Sequence, residues 1–171
     1  YQRKIREPSP SPEAPSFAAV TCSRMSASKL YRTIVRVLEL RPERFPRSSS
    51  RGRGSRNSLE SNFERIFGFD PSTPTEDVAG TIPQALFLMN SPIITQAIRS
   101  KGDTILARLL GSYEDDRLVF DELYLKVHSR RPSSSEWGIF SKYRRSVPDR
   151  GEAFEDLLWS LVNSTEFISE R

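Results

Sequence analysis

The residues able to do chemistry in this chain are few. One cysteine, Cys22, and one histidine, His128, could in principle pair as a thiolate and its base. Cys22 stands in a Pro-rich stretch and His128 just ahead of Arg130-Arg131-Pro132, and no motif spacing links them. A lone histidine at a helix end is the ordinary partner of the exposed carbonyls there. Carboxylates cluster at Glu76-Asp77, Glu114-Asp115-Asp116 and Glu155-Asp156. Paired acids can act as general acid and base. Acids are also what the first turn of a helix attracts, and the first two clusters lie near expected helix starts, so a structural role is the plainer reading. A single Cys leaves no internal disulfide and no Cys-based zinc site, and a single His excludes a multi-histidine metal site. No phosphate-cradling Gly loop, dinucleotide fingerprint, nucleophile elbow or Cys-x-x-Cys-His haem attachment is found. No catalytic, metal or cofactor residue is assigned, and no cofactor is expected in this fragment.

Two further groups of side chains could bind rather than react. The aromatic stripe Trp137, Phe140, Tyr143, Phe154 and Trp159 could line a ligand pocket, but at helical spacing such a stripe reads first as core. Between Arg41 and Arg56 stand six arginines and one acid, Glu43, and residues 47–56 have no apolar side chain. Arg47, Arg51, Arg53 and Arg56 could therefore contact nucleic acid or another polyanion through its phosphates. No aromatic residue is interleaved on which bases could stack, so a solvated loop is the preferred reading.

The elements that must position these residues are helices. The chain has 171 residues and 36% apolar content, below the roughly 45–50% of globular chains. Its +4 charge divides into +9 over residues 1–56 and −5 over residues 57–171. Residues 1–25, with Pro8, Pro10, Pro12 and Pro15, read as an extended arm belonging to an upstream part of the domain. Residues 26–40 read as a helix with Leu30, Ile34, Val37 and Leu38 on one face, capped by Ser26 and ended by Pro42. Residues 41–57 read as a disordered Arg-rich linker, and 58–171 as the main helical domain.

Within that domain, Asn57-x-x-Glu60 is a capping box ahead of Leu59, Phe63, Ile66 and Phe67, with Gly68 supplying a positive backbone dihedral at the end. Thr81 caps the next helix, with Pro83 in its first turn and Gln84 reaching back. Ser91-Pro92 opens another. A short helix over 103–110 closes at Gly111. Ser112 or Asp115 caps the next, whose inner face is Val119, Phe120, Leu123, Tyr124 and Val127. Ser133-x-x-Glu136 and Asp149-x-x-Glu152 open the last two, the second carrying Phe154, Leu157, Leu158, Leu161 and Val162, with Phe167 as a continuation. No segment shows period-2 alternation. The expected fold is a compact all-α domain of about eight short helices, and no apolar run is long enough to span a bilayer.

Three stretches carry a resemblance: Phe67-Gly-Phe-Asp-Pro-Ser-Thr-Pro74 running into Gly80-Thr-Ile-Pro-Gln-Ala-Leu-Phe-Leu-Met-Asn-Ser-Pro92; Leu123 to Ser133 with Glu136; and Phe154-Glu-Asp-Leu-Leu-Trp-Ser-Leu-Val-Asn-Ser-Thr-Glu-Phe167. Tyr1 to Arg6 and Phe17-Ala-Ala19 fit upstream. Together they resemble the C-terminal domain of unknown function in large exported multi-domain proteins of planctomycetes, many with a cytochrome-c-like module upstream. The Arg-rich segment stands as an insertion, and Thr21-Cys-Ser-Arg24 departs from the family's usual turn. The resemblance implies export to the periplasm, cell surface or exterior, a place at the end of a longer chain, and upstream domains of that chain as partners. It maps no catalytic residue. A non-catalytic structural or interaction module is the first functional expectation. The alternative is part of a glycan-processing cleft using Asp70, Asp77, Gln84 and Asn90, and the second alternative is polyanion binding by the arginines.

Overall fold

The computed structural model describes residues 23–40, 57–68 and 82–170. Among them the backbone forms nine helices and two two-residue strands: β1 (Ser23–Arg24), α1 (Ala27–Val37), α2 (Asn57–Phe67), α3 (Ile82–Asn90), α4 (Pro92–Ala97), α5 (Ile105–Ser112), α6 (Asp116–His128), α7 (Ser134–Ser146), α8 (Arg150–Val162), α9 (Thr165–Ile168) and β2 (Ser169–Glu170). The class is all-α, as the periodicity predicts. The strands pair antiparallel, Ser23 with Glu170 and Arg24 with Ser169. They tie the segment before α1 to the end of α9.

One apolar cluster runs through α1 to α9. It packs α1 on α2 and α3 on α2, while α8 takes α5, α6, α7 and α9 around it. Phe154, Leu158 and Val162 of α8, Val119, Phe120 and Leu123 of α6, and Leu106 of α5 are almost wholly removed from water. Each such side chain stabilises by about 1.5–3 kcal/mol relative to exposure. Edge, stacked and tilted ring contacts run through the cluster. Phe63 meets Phe67 and Phe87 at 5.0 and 4.9 Å, and Phe140 meets Phe120 and Phe154 at 5.1 and 4.9 Å.

Helix starts follow short-range chemistry. Asp115 accepts from Arg117 N, Asp149 from Gly151 N and Glu152 N, and Ser133 and Glu136 form a reciprocal capping box. Elsewhere the structure departs from expectation. Ser26 and Ser91 sit at N-cap positions without a side-chain cap bond. The first helix stops at Val37, because Glu39 takes a left-handed backbone (φ 50°) and turns its carboxylate to Arg108 and Lys126. The fifth starts at Ile105: Asp103 pairs with Arg108, and Thr104 accepts from Ala107 N, so Gly111 lies inside the helix. Gly68 has no left-handed backbone. A Cβ there would sit 2.3 Å from Glu64 O, so the glycine supplies room. Phe167 does not extend α8; Ser164 caps a separate turn that buries it. The expected extended arm, Arg-rich linker and Thr81 cap fall on residues 1–22, 41–56 and 69–81, outside the described residues.

Candidate functional site

Helix α7 presents two apolar ridges. Phe140 points into the core at 5% exposure, whereas Ile139 is 74% and Tyr143 41% exposed. Ile139 and Tyr143 stand one turn apart and line an open groove of about 460 Å³ between α7 and α8. Phe120, Tyr124, Phe140 and Leu157 line it too, with Trp159, Ser160 and Asp156 from α8 and Glu136 from the start of α7. The Tyr143 hydroxyl donates to the Asp156 carboxylate. That bond, reinforced by burial and by the charges of Asp156 and Glu152, raises the phenol above its ordinary pKa. The aromatic stripe is therefore divided: Phe140 and Phe154 are core, Trp137 is half-buried under the Arg117 guanidinium at 4.9 Å, and Tyr143 and Trp159 line the groove.

One end of the groove is fixed by Arg130. Its Nε and Nη2 donate to Glu166 at 2.6 and 2.7 Å, and Nη1 and Nη2 donate to Glu136 at 3.1 and 2.7 Å. Ser133 N and Oγ donate to the same Glu136 oxygen at 2.6 and 2.8 Å. Hydrogen bonding to Arg130 is the main cause that lowers the Glu136 carboxyl to about 2, and it lowers Glu166 as well. The guanidinium lies 5.4 Å from the Tyr124 ring. Charge-assisted pairs of this kind are geometrically specific, and here they join the end of α6, the start of α7 and α9. His128 packs its ring on Tyr124 at 5.6 Å, and burial lowers its pKa.

A second, polar cavity of about 620 Å³ lies between the ends of α1 and α6, lined by Thr33, Arg36, Val37, Glu39, Lys126, Val127 and Ser129. Glu39 and Ser129 both have left-handed backbones, and the Glu39 carboxylate pairs with Lys126.

Compared with protein-family models, with curated proteins and with solved structures, the chain matches none.

The residues singled out in the sequence fall elsewhere. Gln84 is buried, and its Nε2 donates to Ile66 O at 2.9 Å, linking α3 to α2. Asn90 donates to Leu86 O of its own helix at 3.0 Å. The structure does not bring these two to the groove; Asp70, Asp77, Arg47, Arg51, Arg53, Arg56, Glu76 and Cys22 lie outside the described residues. Of the acidic clusters, Asp115 caps α6, Asp116 binds Arg144 and Arg150, and Glu155 accepts from Ser100 N and Oγ. Among the described members of these clusters, Asp156 alone lines the groove. Among the described residues, no group of three or more His, Cys, Asp or Glu could hold a metal ion, and no helix is long and apolar enough to cross a membrane. Ile139 is not among the residues the sequence singles out. Its signal is the i, i+4 pair with Tyr143, out of phase with the Trp137–Phe140 stripe.

Proposed function

We propose that the chain is a non-catalytic helical interaction module, and that the groove between α7 and α8 receives a polypeptide segment from a neighbouring domain. The observation that carries this reading is Ile139, a branched apolar side chain 74% exposed over an apolar floor. Grooves of this kind mark interaction sites more often than isolated exposed side chains do, and amphipathic helices dock by laying i, i+4 side chains into them. The resemblance to the planctomycete domain supplies the setting: the end of a large exported protein whose upstream domains would cover the groove. The glycan-cleft alternative draws on Asp70, Asp77, Gln84 and Asn90; the amides of Gln84 and Asn90 bond to carbonyls of α2 and α3.

The test is calorimetric titration with a 14-residue leucine/glutamine peptide carrying leucines at helical spacing. Covering Ile139 contributes roughly 1.5 kcal/mol, so Ile139→Ser should weaken binding about tenfold. Leu118→Ser, at an exposed position that does not line the groove, should leave it unchanged. Equal loss in the two variants, or no binding at all, refutes the reading.

A further inference from the structure

We infer that the occupant of the α7–α8 groove is a basic amphipathic segment, with an apolar side chain seated over Phe140 and Leu157 and Lys or Arg flanking it. The inference rests on the docking reading above and adds the sign of the partner's charge. Along α8, Glu152 and Asp156 stand four residues apart, which places them on one side of the helix, and Asp149 is its N-cap. All three are exposed. Asp156 lines the groove, and Glu152 lies one helical turn before it on α8.

Their hydrogen bonds are to neutral donors: Asp149 accepts from Gly151 N and Glu152 N, and Asp156 accepts from the Tyr143 hydroxyl. Among the described residues none of the three forms an ion pair. Glu155, one position before Asp156, is turned the other way, held by Ser100 and by Arg99 at 3.5 Å. At the groove's end, Arg130 is already shared by Glu136 and Glu166. An apolar floor edged by unneutralised carboxylates favours a ligand that brings both apolar surface and positive charge, and the charge term sets specificity and association rate more than it sets affinity. Residues 47–56 of this chain carry the charge but no apolar side chain, so the fitting partner is a segment that has both.

The experiment uses the whole chain and two 14-residue helical peptides with identical leucine positions, one filled with lysine and one with glutamate. Titrations are run at 20 mM and 500 mM salt. The lysine peptide should bind at least tenfold tighter at low salt, with most of that margin gone at high salt. The double variant Glu152→Gln/Asp156→Asn, with helicity checked by circular dichroism, should cut the margin to within threefold. Ile139→Ser should weaken both peptides alike. Equal affinity for the two peptides, with Ile139→Ser still weakening both, overturns the charge inference and leaves the groove reading standing. Indifference of both peptides to Ile139→Ser overturns the groove reading and this inference with it. Self-association that Ile139→Ser abolishes makes a second copy the occupant and also overturns the inference.

Discussion

Replacing Arg150 by methionine should destabilise the domain by about 2–3 kcal/mol. Arg150 is the first residue of α8, yet its guanidinium serves the end of α5 and the start of α6. Nε donates to Asp116 at 2.7 Å, Nη1 to Leu110 O at 3.2 Å, and Nη2 to Tyr113 O and Glu114 O at 2.8 and 3.1 Å. Each of these bonds is worth about 1 kcal/mol net, somewhat more to the charged Asp116. Two effects reduce the sum. The side chain is 28% exposed, so water reclaims part of the carbonyl hydrogen bonding. A cation at the start of α8 also opposes the helix dipole, which costs about 0.5 kcal/mol that the variant recovers. Asp116 keeps its second partner, Arg144, at 3.1 Å, and a methionine stem keeps most of the packing over Phe154. For a chain of this length the net loss lowers Tm by roughly 5–10 °C. Thermal unfolding followed at 222 nm measures it, with Arg145→Met as the exposed control. A shift in Arg150→Met no larger than in the control would show that this arginine does not staple α5, α6 and α8.

Three further outcomes follow from the same contacts. Glu136 has a folded-state carboxyl held down to about 2 by Arg130 and Ser133, against an ordinary 4.5. Its contribution is therefore complete above about pH 4.5 and is lost as pH falls toward 2; Glu166 shifts in the same direction. Urea midpoints of the native chain and Glu136→Gln should differ by a constant amount above pH 5 and converge in acid, and a gap that widens in acid contradicts the pairing. Ser133→Ala removes the hydroxyl that accepts from Glu136 N at 3.2 Å and should cost about 1 kcal/mol in chemical denaturation. Leu158→Ala, at a position 1% exposed between α8 and its neighbours, should cost about 2–5 kcal/mol; a loss below 1 kcal/mol would mean that α8 is not the centre of the packing.

What could be read in the sequence is what depends on neighbours within one helical turn. Ser133 and Glu136, Asp115 and Asp149 announce their helices because a cap is satisfied two or three residues away, and the α8 stripe announces its buried face because 3.6-residue periodicity is local. The departures have long-range causes. Glu39 leaves the α1 pattern because its carboxylate meets Arg108 and Lys126, 69 and 87 residues further on. Arg130 and Arg150 find carboxylates 36 and 34 residues away, and nothing in the spacing of those residues specifies the pairing. Gln84 fits a helix-start pattern, but its amide is committed to Ile66 O across two helices.

The groove belongs to the same class of feature, and it shows why an aromatic stripe is ambiguous. A helical wheel gives the phase of each side chain, but not which neighbouring helix closes over it. On α7, Trp137 and Phe140 fall on the phase that meets Phe120 of α6, whose ring lies 5.2 and 5.1 Å from theirs. Ile139 and Tyr143 fall about a third of a turn away, where α8 turns Trp159, Ser160 and Asp156 toward them. A helix serving only its own core needs one ridge, with polar residues on the remainder. The second ridge on α7 leaves Ile139 74% and Tyr143 41% exposed, and this unburied apolar area is what the docking proposal accounts for. On the docking proposal, the carboxylates along α8 would have two consequences: they offset the exposed apolar area of the free groove, and they favour a cationic segment as its occupant.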